Sequence, residues 1–380
     1  MKIQSVNGEP LPHDAKPFAR MAVIGAGSWG TALAATAARS GAQVRLWGRS
    51  GDVVDAINRD HRNPAYISDV DLPESLLAVR EMRDALRDAD AAMIVVPSQS
   101  VRLVSRQVAA HAPAGIPIAL CAKGIEGETG LLMTQVAEEE LPGHPVGVVS
   151  GPTFARETAL NHPTAAVAAF PFAYRDRLHP EDSAAARFAV TLTTESFRAY
   201  VSDDPIGVEV GGAVKNVIAI ACGMMTGAGF AENTRAALIT RGVDEMKALA
   251  EALGGRRETV TGLSGVGDLT LTCSSPTSRN MSLGQQLGQG TPRSDCFDGA
   301  PVVVEGEKNA KSVTDLARRL NVPIPICDTV RAILHDGTPI GDAFAALWAR
   351  PIESEPRAMA LSLTHPADDT AVQTLAERMS

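Results

Sequence analysis

A chain of 380 residues, 45% of them hydrophobic, holds enough apolar material for two cores. Its formal net charge of −9 argues against nucleic-acid or anionic-membrane partners, because either would demand a basic face. An anionic ligand must therefore be held by a few local cations. The five cysteines, at 121, 222, 273, 296 and 327, form no close couplet, so reduced thiols are expected and a metal site is not.

The first 19 residues are polar and carry Pro10, Pro12 and Pro17. They lack the apolar run of a secretory signal and read as a disordered extension. From 20 to 204 short apolar runs alternate with helical patterns, the signature of βαβ units and a mostly parallel sheet. Strands are expected at 21–25, 43–47, 91–96, 117–121, 146–150, 165–169 and 196–201. Beyond Pro205 the strand pattern stops, and helices are expected at 205–225, 233–253, 308–320 and 327–335. Residues 351–380 turn polar again and read as a mobile tail. Two apolar windows, 21–38 and 211–230, are broken by glycines, and the second contains Lys215 and Asn216, so membrane insertion is not expected.

The first expected strand runs directly into Gly25-Ala26-Gly27-Ser28-Trp29-Gly30, and a helical pattern follows. Strand, G-x-G-x-x-G and helix in that order is the context of a dinucleotide-binding turn. Gly25 permits the tight turn, Gly27 lets backbone reach a pyrophosphate, and Gly30 lets helix and strand pack closely. The fold expected is therefore an α/β Rossmann-like dinucleotide-binding domain (20–204) followed by an all-α domain (205–350). Where an NAD-specific site usually places a carboxylate on the ribose, after the second strand, this chain has Arg49. Arg49 is either a solvated surface residue or a ligand for a 2′-phosphate, and the second reading favours NADPH while leaving NADH possible.

In the apolar stretch 210–225 the only charged residue is Lys215, followed by Asn216. A buried lysine has a readily shifted pKa, which general acid–base chemistry requires; the alternative is a lysine that snorkels from the helix edge. Lys123 and the segment Ser150-Gly151-Pro152-Thr153-Phe154-Ala155 each lie past the carboxyl end of an expected strand, where ligands of α/β sheets bind. Either could equally be an ordinary loop. Gly265-Val266-Gly267-Asp268 reads as a flexible turn with one carboxylate. Ser278-Arg279-Asn280 reads as a helix start, serving as a simple cap or as a phosphate site.

Taken together, these segments resemble the bacterial-type NAD(P)-dependent glycerol-3-phosphate dehydrogenases. The match spans residues 21–347 and includes Gly212-Ala213-Val214-Lys215-Asn216-Val217 and Gly267-Asp268-Leu269 in family order. The resemblance implies that Lys215 donates and accepts the proton. It implies substrate contacts from Lys123, Gly151, Thr153, Lys215, Asp268, Ser278, Arg279 and Asn280. Implied cofactor contacts are Ser28, Trp29, Arg49, Lys123, Ala155, Arg279, Val303 and Glu305, beside the glycine loop. It further implies a cytoplasmic homodimer that reduces a small phosphorylated ketone and supplies phospholipid synthesis. The chain departs from the family pattern at Thr226 and Ala231.

Overall fold

The computed structural model describes residues 14–355, 359, 361–367 and 369–378. These divide into two compact units, one running to Ala122 and resuming over Met133–Val208, the other combining Lys123–Leu132 with the chain from Glu209 onward. The expected boundary at 204/205 is thus displaced by a few residues, and the short segment after Ala122 joins the second unit.

The first unit is built on an eight-stranded sheet: β1 Arg20–Ile24, β2 Gln43–Trp47, β3 Leu77–Val79, β4 Ala91–Ile94, β5 Ile118–Leu120, β6 Val146–Ser150, β7 Thr164–Ala169 and β8 Phe197–Ser202. The spatial order is β3-β2-β1-β4-β5-β6-β7-β8, and every pair is parallel except β6 with β7. All four residues of β4 and all five of β6 are buried. Such apolar runs without alternation are what a sheet covered on both faces requires. β3 escapes the sequence reading because three residues are too few to show a period. The strand order reverses beside β1, which pairs with β2 on one side and β4 on the other, and α/β sheets bind ligands at such a switch point.

The expected disordered extension needs correction at its end. Phe18 is 1% exposed, edge-on to Phe188 at 5.1 Å between ring centroids, and the Arg187 guanidinium lies 4.0 Å over its ring. Burying one phenylalanine contributes about 1.5–3 kcal/mol, enough to tie down the residues next to β1. Residues 1–13 lie outside the described residues.

In the second unit the central element is the Lys215 helix, Pro205–Gly227, of which residues from Glu209 on belong to this unit. It is long and apolar enough to cross a membrane, but 94% of its most apolar window is buried within the structure, as befits a core helix. Glycines let it meet the helix Arg279–Gly288 backbone to backbone. A Cβ on Gly223 would lie 2.3 Å from the Met281 carbonyl oxygen, and one on Gly284 would lie 2.1 Å from that of Ile220. Glu245, buried in the helix Glu232–Ala252, accepts from the Ile326 and Cys327 amides at 2.6 and 3.2 Å and so caps the helix Pro325–Asp336.

The polar segment after Pro351, expected as a mobile tail following the all-helical domain, contains a small antiparallel pair and a helix. β9 Ile352–Glu353 pairs with β10 Ser362–Leu363, the helix Asp369–Glu377 follows, and Glu353 binds Arg241 at 2.8 Å. Polarity here marks an exposed hairpin anchored by an ion pair.

Candidate active site

In the first unit the loop between β1 and the helix Ser28–Arg39 is shaped by its glycines. Gly25 has φ +126°, and a Cβ there would lie 2.2 Å from the Val95 carbonyl oxygen; one on Gly30 would lie 1.8 Å from that of Gly25. A Cβ on Gly27 would meet nothing within 4 Å, and no side chain caps the helix. Gly27 is thus dispensable for packing, while its backbone and the first helical amides stay accessible to an anion. These residues fit a dinucleotide pyrophosphate.

Ser28 donates to the Tyr66 carbonyl at 3.3 Å, and Trp29 is half-buried against the core. Arg49 is exposed, just past β2. Gly151 is buried, and a Cβ there would lie 2.8 Å from the Ala165 carbonyl oxygen of β7. Thr153 donates to the Gly151 carbonyl at 3.2 Å, and Ala155 opens the short helix Ala155–Ala159. Sequence reasoning missed Asn63. Fully buried, it donates to the Ala26 carbonyl at 3.0 Å and to the Thr31 hydroxyl at 2.8 Å, holding the glycine loop from 37 residues away. In an Asn-Pro dipeptide it looks only like a turn residue.

In the second unit three charges meet. Lys215 is 6% exposed and Asp268 2%. The Asp268 carboxylate accepts from Lys123 Nζ at Oδ2, 2.6 Å, and from Lys215 Nζ at Oδ1, 2.9 Å. Lys215 also donates to Thr272 Oγ1 at 2.7 Å, and that hydroxyl donates to the Asp268 carbonyl at 2.6 Å. Burial pushes the Lys215 ammonium below its ordinary pKa, Asp268 opposes the shift, and Lys123 adds to it. Burial would raise the Asp268 carboxyl, but Lys123 and Lys215 together outweigh it and hold it below its ordinary value.

Asp268 does not sit on a flexible turn, as the sequence reading had it. The preceding Leu263–Gly267 form a π-helical turn in which the Gly267 amide donates to the Gly262 carbonyl at 3.1 Å, and Asp268 opens the helix Asp268–Ser274. Gly265 is required because a Cβ would lie 1.9 Å from the Val260 carbonyl oxygen. Wide turns of this kind recur where a helix must aim one functional side chain. Thr272 also went unread, since a threonine one turn after an aspartate carries no sequence signal of its own.

Beside the cluster runs a chain of amides. The Gly306 amide donates to Asn280 Oδ1 at 2.9 Å, Asn280 Nδ2 to Asn216 Oδ1 at 2.9 Å, and Asn216 Nδ2 to Glu305 Oε2 at 3.2 Å. Ser278 is the N-cap of the Arg279–Gly288 helix, its hydroxyl accepting from the Met281 amide at 3.3 Å. Arg279 is exposed on the first turn, and Val303 is 52% exposed just before the helix Glu305–Arg319. The structure therefore unites Lys123, Lys215 and Asp268, ties Asn280 to Glu305 through Asn216, and leaves Arg49 and Arg279 as exposed cations. Among the described residues no His, Cys, Asp or Glu cluster could hold a metal ion.

Two family models cover most of the chain: the NAD-dependent glycerol-3-phosphate dehydrogenase N-terminus over residues 20–173 and the corresponding C-terminus over residues 204–345. The chain belongs to this family. A glycerol-3-phosphate dehydrogenase of Caulobacter vibrioides, named for NAD(P)+, is 46% identical over 89% of this chain and 99% of its own length. One from Maricaulis maris is 45% identical over 89% and 98%. Among solved structures, glycerol-3-phosphate dehydrogenase of Coxiella burnetii superposes with a TM-score of 0.79 at 37% identity, over 87% of this chain and 99% of the other. For a glycerol-3-phosphate dehydrogenase the two-unit plan, with a Rossmann-like sheet first and a largely helical part second, is the family architecture.

Proposed function

We propose that this chain catalyses the reversible NAD(P)H-dependent reduction of dihydroxyacetone phosphate to sn-glycerol 3-phosphate, feeding glycerophospholipid synthesis. The observation that carries the reading is the buried Lys215, held on Asp268 and Thr272. The reduced nicotinamide, when bound, is the source of hydride. Lys215 gives its proton to the ketone oxygen as negative charge develops there, and recovers one from the hydroxyl in the reverse direction. An ammonium has three donors; Asp268 and Thr272 take two and aim the third. Lys123 keeps Asp268 ionised and adds positive charge next to the developing alkoxide.

The substrate phosphate is assigned to Arg279 with Ser278 and Asn280, and the remaining substrate contacts to Gly151 and Thr153. The dinucleotide is assigned to Gly25, Gly27, Ser28, Trp29 and Gly30, with Arg49, Lys123, Ala155, Arg279, Val303 and Glu305. Arg49 supports a preference for NADPH over NADH, since a guanidinium can form paired bonds to a 2′-phosphate. A cytoplasmic homodimer belongs to the same proposal through the family resemblance. The deciding assay follows NADPH oxidation with dihydroxyacetone phosphate and with unphosphorylated dihydroxyacetone. Turnover is expected with the phosphate ester and little without it; equal rates on the two ketones would remove the phosphorylated substrate from the proposal.

A further inference from the structure

The carboxyl ends of β2 and β3 lie side by side, and Arg49 is not the only cation there. Trp47 is in register with Val79 and the Gly48 amide donates to the Val79 carbonyl at 3.1 Å, so Arg80 leaves the sheet beside Gly48, with Arg49 one residue further along the neighbouring strand end. Trp47 Nε1 donates to the Arg80 carbonyl at 2.9 Å and fixes its backbone. The Arg80 side chain then turns across the first turn of the helix Gly51–Asp60. A Cβ on Gly51 would lie 2.8 Å from Arg80 Cζ and 3.0 Å from both terminal nitrogens. The absent side chain at Gly51 lets the guanidinium plane lie over the turn that Arg49 and Ser50 lead into.

In this position Arg80 is paired with Asp55, one turn further along the same helix, and the two side chains are 55% and 57% exposed. An ion pair so exposed contributes little net stability and holds its arginine weakly. A phosphate carries more charge than a carboxylate and matches the guanidinium fork equally well.

We propose that Arg80 is a second specificity-determining cation for the 2′-phosphate of the cofactor, parked on Asp55 and released to the phosphate when NADPH binds. This rests on the reading that Arg49 marks an NADPH site. Because NADH has no 2′-phosphate, Arg80 keeps its carboxylate when NADH binds. Asp55 acts as a brake: it competes for Arg80 and places a negative charge near the phosphate. Arg80 thus sets how large the preference is, and Arg49 sets its sign.

The test is calorimetric titration of the full chain with adenosine 2′,5′-bisphosphate and with adenosine 5′-monophosphate, for wild type, Arg80→Gln and Asp55→Asn. Arg80→Gln is expected to weaken the bisphosphate about three- to tenfold, one charge-assisted hydrogen bond discounted for exposure, and to leave the monophosphate unchanged. Asp55→Asn is expected to tighten the bisphosphate by about threefold. The ratio of kcat/KM for NADPH to that for NADH should follow the same order. Wild-type protein binding the two nucleotides equally would overturn the NADPH reading itself. A wild-type preference that survives intact in Arg80→Gln would overturn only the role of Arg80, as would an equal loss of both nucleotides.

Discussion

The glycine loop of the first unit and the charge cluster of the second solve opposite problems. The loop is one short stretch, residues 25–30, braced by Asn63, and its glycines work by lacking side chains: Gly25 and Gly30 make room for backbone, and Gly27 leaves its backbone accessible. The cluster is built from Lys123, Lys215, Asp268 and Thr272, which come from three separate stretches of the chain, and it works by side-chain charge out of water. A loop of backbone amides tolerates solvent because its groups are neutral dipoles. A buried lysine does not, and it persists only because a shared carboxylate compensates it.

If that contrast holds, the largest effect belongs to the cluster. Lys215→Ala should lower kcat by about 10²–10⁴-fold while NADPH affinity, measured by titration, stays near wild type. A kcat within about threefold of wild type would take Lys215 out of the mechanism.

Asp268→Asn tests whether the charges compensate one another. It leaves two lysines facing each other without their shared anion, so a loss of about 3 kcal/mol or more in denaturant unfolding is expected. It should also move the pH profile. The reductive direction needs the Lys215 ammonium, whose pKa is already lowered by burial, so the rate falls as pH rises through that lowered value, and oxidation of glycerol 3-phosphate rises over the same interval. Asp268 opposes the lowering, so its removal should carry both limbs to still lower pH; unmoved limbs would mean that Lys215 is not the titrating group. The stabilisation Asp268 provides is fully present above the ordinary carboxyl pKa and is lost as pH falls through its lower folded value, so the stability gap between wild type and variant should narrow in strong acid.

Within the loop, Gly30 and Gly27 should separate. Gly30→Ala places a methyl group against backbone that cannot rotate away, which should cost about 1–3 kcal/mol of stability and weaken the cofactor with it. Gly27→Ala should leave Tm unchanged and weaken NADPH by about tenfold, ~1.4 kcal/mol, because its Cβ has room in the folded chain and intrudes only on a bound pyrophosphate. Equal stability losses in the two would dissolve the distinction.

The smallest effect is electrostatic and exposed. Arg49→Asp should turn a preference for NADPH into one for NADH in kcat/KM, by several-fold at low salt and less as ionic strength rises. A cofactor ratio that neither the substitution nor salt changes would make Arg49 a solvated surface residue.

Residues close in sequence determined much of this protein before any contact was known. The strand, glycine loop and helix at residues 20–39 were legible because each glycine serves a turn made by its own neighbours, and β2 was read to the residue because five residues suffice to show its alternation of buried Val44 and Leu46 with less buried neighbours. The Lys215 helix was legible because one charge in an apolar run is conspicuous whatever surrounds it. What answers that charge lies elsewhere: Asp268 is 53 positions away, just after a π-helical turn, Thr272 follows it, and Lys123 arrives on a segment that leaves the first unit to join the second. Asn63 under the glycine loop, Phe18 in the core and the ion-paired hairpin after Pro351 share that character, each a residue or segment that looks polar, terminal or loop-like by composition. Composition and period report the propensities of neighbouring residues, whereas the partner that makes a buried charge or amide tolerable is chosen by distance in space, and only the tertiary structure decided it.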